Sequence, residues 1–253
     1  MSKPFFSVIV PAHNAAGRIR KLLDSIKMQT FDDYEVIIVC DDCQDGTAEI
    51  AAEYVDNAFP QGQVLEVGWH SCGKTRNAAL ELANGEWVLF SDDDDWWRED
   101  TAFAMIAETI QNYESIREPF DILAFNFIFG YNGLARQYPG HVYIAPWSKA
   151  WRRSFIGDHR FPEVPHSDDY GFARKMHPLA KFQYLDACLY YYDYERPGSI
   201  TQQLHSGELK RLEEMGIDPN GRKRETDRII RPNALLCSRL HQVCRRNEKA
   251  TRL

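Results

Sequence analysis

Apolar positions in the first third of the chain follow two alternating rhythms. Phe5 to Val10 is a short apolar run stopped by Pro11, the pattern of a buried strand. Ile19, Leu22, Leu23 and Ile26 then recur at helical spacing and predict an amphipathic helix ending near Thr30. Val36 to Val39 is a second continuous run, β-branched throughout. A helix from about Thr47 to Tyr54 follows, then a weaker strand at Val64 to Val67. Residues 74–83 read as a helix closed by the stop signal Asn84-Gly85, and Trp87 to Phe90 as the next strand. Strands that are apolar throughout, separated by helices, predict an α/β fold: a mostly parallel sheet with helices on both faces.

Beyond about residue 100 the rhythm changes. A helix over Ala102 to Asn112 leads to a strongly aromatic strand at Ile122 to Phe129, and Leu189 to Tyr194 is a further strand. The second half is therefore expected to continue the sheet in mixed fashion. Residues 206–253 read mainly as helix, broken at Gly216 to Gly221 and by Pro232. The expected division is a domain over residues 1–205 and a basic helical extension over 206–253.

Composition changes little in this picture. At 253 residues, with 13% aromatic and 26% charged side chains, the chain has enough apolar material for one sizeable core and is unlike a disordered segment. No apolar run approaches the roughly 20 residues of a membrane span. The opening Met1 to Phe6 lacks a signal-peptide pattern, so a cytoplasmic protein is expected. Of six cysteines, only Cys40 and Cys43 share a C-x-x-C spacing, and no second pair completes a zinc site. Buried free thiols are expected instead.

Charge is unevenly placed. Residues 222–253 hold ten Lys/Arg against Glu225, Asp227 and Glu248, so this tail is +7 and the rest is −14 within the overall −7. Leu236, Leu240, Val243 and Cys244 share one face of the last helix. Packing of that face on its own domain or in a homodimer is the preferred expectation. Peripheral contact with the anionic inner face of a membrane is the alternative.

Polar residues collect where such a sheet binds ligands, outside the carboxyl ends of its strands. Pro11-Ala12-His13-Asn14 follows strand one, Asp41-Asp42 strand two, and Asp92 to Asp95 the Trp87 strand. Right-handed crossovers bring these ends to one edge. In extended chain Asp92 and Asp94 point the same way, as paired hard ligands for Mg²⁺ or Mn²⁺. Four like charges in a row call for a counter-cation, which favours a metal site over a solvated turn. Asp41 and Asp42 could accept a base N–H or ribose hydroxyl, while Asp45 could cap the next helix. Ser167-Asp168-Asp169 fits equally a helix cap and a general base. Trp96, Trp97 and Trp147 could stack on sugars or pack in the core.

Together these segments resemble family 2 glycosyltransferases of GT-A (Rossmann-like) fold, particularly bacterial enzymes that build cell-envelope polysaccharides. The resemblance covers about residues 6–201. It rests on Ser7 to Asn14, where Tyr is commoner than His13, on Gln29 to Val36, and on Val39 to Thr47, where Cys40 and Asp42 replace the usual Asp and Gly. It continues through Arg76-Asn77, Phe90 to Trp96, Pro146 to Lys149, Asp168-Asp169, Tyr191-Tyr192 and Gly198 to Thr201. It implies a nucleotide sugar held by Pro11, Ala12, His13, Asn14, Asp41, Arg76, Asp92 and Asp93. It implies Mn²⁺ or Mg²⁺ on Asp94 and Asp92, acceptor contact at Trp147, Lys149 and Asp168, and Asp169 as catalytic base. The activity implied is inverting sugar transfer, with a UDP sugar as donor and a glycan or lipid-linked glycan as acceptor. The base at a helix N-terminus is expected to be weakened by the dipole. The rivals are a non-catalytic nucleotide-sugar-binding protein, and the same chemistry on protein or nucleic acid. The −14 body argues against a large nucleic-acid footprint.

Overall fold

The structure is a computed structural model and describes residues 3–131, 134–140, 145–164 and 168–194. The chain runs β1 (Phe6–Ala12), α1 (Ile19–Lys27), β2 (Tyr34–Asp41), α2 (Thr47–Ala58), β3 (Gln63–Val67), α3 (Cys72–Leu82) and β4 (Trp87–Phe90). It continues through β5 (Trp96–Trp97), α4 (Ala102–Ser115), β6 (Ile122–Tyr131), β7 (Leu134–Tyr138), β8 (Lys149–Arg152), α5 (Arg153–Ile156), α6 (Asp168–Met176) and β9 (Phe182–Asp193). One sheet joins them in the order β3-β2-β1-β4-β8-β6-β9-β5, with β7 on β6. Strands β3, β2, β1 and β4 are mutually parallel. β8 runs antiparallel to both β4 and β6, and β9 is parallel to β6. The mixed second half is thus as expected. The extension expected over residues 206–253, the closing segment Gly198 to Thr201 and Ser167 lie outside the described residues.

Burial explains the apolar runs. Every residue of β1 is buried, as are all but the first of β2. α1 buries Ile19, Leu22, Leu23 and Ile26, the stripe its spacing predicts. Pro11 does not end β1, because β1 has already run past β4, whose pairing stops at Ile9 and Phe90. The missing N–H therefore costs no bond on the β4 side. Gly85 acts differently from a helix stop. A Cβ there would lie 2.4 Å from the Ser7 nitrogen, so it is the close approach to β1 that requires glycine. Glu35, buried beneath, accepts hydrogen bonds from the Ser7 hydroxyl at 2.6 Å and from the Asn84 and Gly85 amides at 2.6 and 3.1 Å. The segment Gln29 to Val36 thus has a structural role in this fold. Gln29 likewise ties α1 to the start of α4 by accepting from the Phe103 amide and donating to the Glu99 carbonyl.

The strand expected at Leu189 to Tyr194 is the end of a longer one. β9 is interrupted where Asn126 pairs with Cys188 just after Phe125 pairs with Leu185. That bulge breaks the period-2 pattern on which sequence reading relies. β8 was hidden by its Lys149 and Arg152, and β5 by its two-residue length. Trp97 and Trp147 are core residues: Trp97 packs edge-on to Phe103, and Trp147 stacks on Tyr190 and Tyr192. Cys40, Cys43, Cys72 and Cys188 are free thiols, Cys40 buried and the others half-buried. No helix among the described residues is long and apolar enough to cross a membrane.

Candidate active site

Because β1, β2 and β4 are parallel, their carboxyl ends deliver His13, Asp41 and Asp92 to one edge. Asp41 closes β2 and organises the loop after β3. Its two oxygens accept the amides of Trp69 at 2.6 Å, His70 at 2.9 Å and Ser71 at 2.7 Å, and the Thr75 hydroxyl at 3.1 Å. Burial pushes this carboxyl up, but the four donors outweigh it and hold it below the usual carboxylate range. With both oxygens doubly engaged, Asp41 can take a base N–H only in exchange for one of these donors. Its evident work is to shape the loop.

The residues around Asp41 face solvent under backbone strain. Asn14, Asp42 and His70 all hold φ near +50°, in the left-handed region that disfavours side chains. Three separate loops therefore carry such a residue at this edge, as strain gathers at binding sites. The His13 ring is pinned to the Asp41 carbonyl at 2.5 Å, and the Asn14 side chain accepts from the Gln44 amide at 2.8 Å. His70 lies 3.4 Å from Asp42 and Trp69 is half-exposed. Asp45 binds the Thr47 amide and hydroxyl, while Gly46 occupies the cap position of α2. The expected cap is thus displaced by one residue.

Asp92 to Asp95 is a turn, closed by the Asp95 amide on the Asp92 carbonyl at 3.1 Å. It replaces the extended alternation expected from sequence. Each carboxyl has its own surroundings. Asp93 is clamped by Arg18 at 3.0 Å and accepts the His13 amide at 3.0 Å. Burial and the neighbouring Asp94 raise it to about 6 against the pull of Arg18. Asp95 accepts the Asp193 amide at 2.9 Å and is pushed far above the carboxylate range by burial and by Asp94 and Asp92. Its other oxygen has no partner among the described residues. Asp92 is raised by burial, lowered by Arg76 and raised again by Asp94.

The donor set fits a hard divalent ion. Among the described residues no three His, Cys, Asp or Glu side chains form a ready-made cage. Asp92 and Asp94 are half-buried and close enough to repel each other. Two carboxylates completed by substrate phosphates and water are what Mg²⁺ or Mn²⁺ ordinarily takes. Among the described residues, Arg18 pairs with Asp93 and Arg76 with Asp92 of this turn.

Asp168 and Asp169 open α6. Asp168 is buried on Arg76 at 2.5 Å, and Arg76 reaches Asp92 with its other terminal nitrogen at 2.7 Å. Asp169 is less enclosed and accepts its neighbour's Tyr170 amide at 2.7 Å. Burial raises Asp169 against the pull of Arg76, with Asp168 adding to the rise. Burial thus outweighs the weakening expected of a helix N-terminus. Trp147 and Lys149, by contrast, lie inside the fold. Lys149 is fully buried, donates to the Ala145 carbonyl at 2.8 Å, and is pushed down to about 7 by that burial. Sequence reading missed Arg18 and His70, and gave Asp95 no role beyond membership of the acidic run. Arg18 resembles any solvated residue before an amphipathic helix, and only the fold brings it to Asp93 across 75 positions.

Comparison with known proteins agrees with this geometry. The profile of Glycosyl transferase family 2 matches residues 7–171. The glycosyltransferase EpsH of Bacillus subtilis is 30% identical over 251 residues, covering 86% of this chain and 67% of its own. Staphylococcus aureus TarS, a poly(ribitol-phosphate) β-N-acetylglucosaminyltransferase, is 40% identical over 98 residues, 38% of this chain and 17% of TarS. TarS 1–349 solved with UDP-GlcNAc superposes with a TM-score of 0.68 at 27% identity, covering 87% of this chain and 68% of that one. The Pyrobaculum calidifontis mannosyltransferase PcManGT, at 20% identity and a TM-score of 0.61 over 85% of this chain and 63% of that one, shares the fold. The chain spans only a minor part of full-length TarS. The GT-A arrangement expected from sequence is the fold observed.

Proposed function

The chain belongs to glycosyl transferase family 2, and from that premise we propose that it transfers a sugar, with inversion, from a UDP sugar to a hydroxyl of a glycan or lipid-linked glycan. The observation that carries this reading is the convergence on one sheet edge of the Asp92–Asp95 turn and the start of α6, joined through Arg76. The TarS relative solved with UDP-GlcNAc supports the choice of donor.

Loops bearing His13, Asn14, Asp42 and His70 receive the nucleoside, and Asp41 and Arg18 hold those loops in place. Asp92 and Asp94 would hold a divalent ion, which supplies charge neutralisation at the diphosphate leaving group. Asp169 accepts the proton of the acceptor hydroxyl as that oxygen attacks the anomeric carbon. Its raised affinity for protons suits that task better than a fully solvated carboxylate would. Asp168, Trp147 and Lys149 shape the acceptor side from beneath.

The test is release of UDP from UDP-GlcNAc in the presence of Mn²⁺. Asp169→Asn is expected to lose about 10²- to 10⁴-fold in rate while Mn²⁺-dependent UDP binding is kept. Asp94→Ala is expected to lose that binding. Normal turnover in the first variant removes the base assignment, and normal binding in the second removes the metal assignment. Any turnover excludes the alternative of a binding-only protein.

A further inference from the structure

Arg76 is placed unlike a ligand for substrate. It is 5% exposed, and its two terminal nitrogens are occupied by Asp92 at the end of β4 and Asp168 at the start of α6. The guanidinium carbon lies 5.5 Å from the centroid of the Phe161 ring. Its Nε is buried without a hydrogen-bond partner among the described residues. An orphaned donor of that kind costs stability, so fold stability alone is a poor reason for the arrangement. The surrounding packing makes a single block of α3 and α6. Asn77 exchanges two hydrogen bonds with the Phe161 backbone, at 3.0 and 2.8 Å. Phe161 in turn stacks on Phe172 of α6 at 4.0 Å. A Cβ at Gly73 would meet the Pro162 carbonyl at 2.5 Å, and one at Gly171 the Pro162 ring at 2.7 Å.

From this geometry we infer that Arg76 is a positioning residue, a clasp that fixes the start of α6, and with it Asp169, against the Asp92 turn. The inference rests on the proposed sugar transfer and deepens it: the donor-holding turn and the base are set in register by one buried guanidinium. A planar fork holds two carboxylates in one fixed mutual orientation, which the rotating donors of a lysine ammonium do not impose. Misplacement of a reacting group by about 1 Å can cost about 10²-fold in rate.

Arg76→Lys, Asp168→Asn and the double variant, each in the full chain, test this with two readouts. One is the Mn²⁺-dependent affinity for UDP by calorimetry. The other is kcat for UDP release from UDP-GlcNAc. Asp168→Asn is expected to keep UDP affinity within about twofold while kcat falls about tenfold to a hundredfold. Arg76→Lys is expected to lose kcat to a similar extent, and the double variant to lose little more than the worse single one. Losses that multiply, or an unchanged kcat in Asp168→Asn, overturn the clasp. So does a tenfold weaker UDP affinity with kcat kept, which would make Arg76 a donor ligand. Should Arg76→Lys not fold, Asp168→Asn carries the test alone, because it preserves side-chain size. If Asp169→Asn turns over normally, the base reading fails by itself, and the non-additivity of positions 76 and 168 still reports the clasp.

Discussion

At Asp41 and at Lys149 the same fold treats two buried ionisable groups in opposite ways. Asp41 meets four donors, and their hydrogen bonds outweigh the cost of burying its charge. Asp41→Asn replaces one acceptor oxygen by an NH₂ facing amide donors, and is expected to cost on the order of 1–3 kcal/mol. Hydrogen exchange at Trp69, His70 and Ser71 would speed up in that variant, and unchanged protection there would deny the loop-shaping role. Lys149 is pushed from its ordinary 10.5 down to about 7 by burial. Between those values the unfolded chain binds more protons than the folded one, so stability rises with pH across that window. The cost of burying the charge is full below about 7 and relieved as pH approaches the unfolded value. Lys149→Met should therefore show its largest stability advantage over the parent near pH 7, shrinking toward pH 10, in urea unfolding. An equal difference at both ends would contradict the shift.

Between elements, small residues decide how closely α3 and α6 approach. Alanine is favoured over glycine inside a helix by about 1 kcal/mol, so local propensity alone says Gly73→Ala should stabilise. The added Cβ would lie 2.5 Å from a backbone carbonyl and 3.3 Å from the Asp168 Cβ. Overpacking of that kind costs about 1–3 kcal/mol and should win. The variant is expected to be less stable in urea and slower in UDP release, since α6 must move. A stabilised variant of full activity would show that the contact relaxes freely. β9 was half-legible for another reason: its bulge hides the strand's first part from period-2 reading, although its aromatic end, expected over Leu189 to Tyr194, was visible.

For the molecule as a whole, a ligand that binds only the folded chain adds its binding free energy to global stability. UDP with Mn²⁺ at 100 times its Kd adds about 2.7 kcal/mol. For a domain of this size that corresponds to roughly 5–10 °C in Tm. UDP without metal should give a much smaller shift, and equal shifts would remove the metal from donor binding. The sequence by itself determined the alternation of buried strands and helices, and hence the parallel half-sheet with Asp41 and Asp92 at one edge. Continuous apolar runs and helical stripes are local patterns and survive without knowledge of contacts. Tertiary structure alone decided what each carboxyl does there. Whether a carboxylate is saturated like Asp41, clamped like Asp93, buried against the Asp193 amide like Asp95 or left half-exposed like Asp94 depends on the folded surroundings, with partners dozens of residues away. Arg76 shows the same limit: read along the chain it is a basic residue near a phosphate site, and only the fold places it between two aspartates.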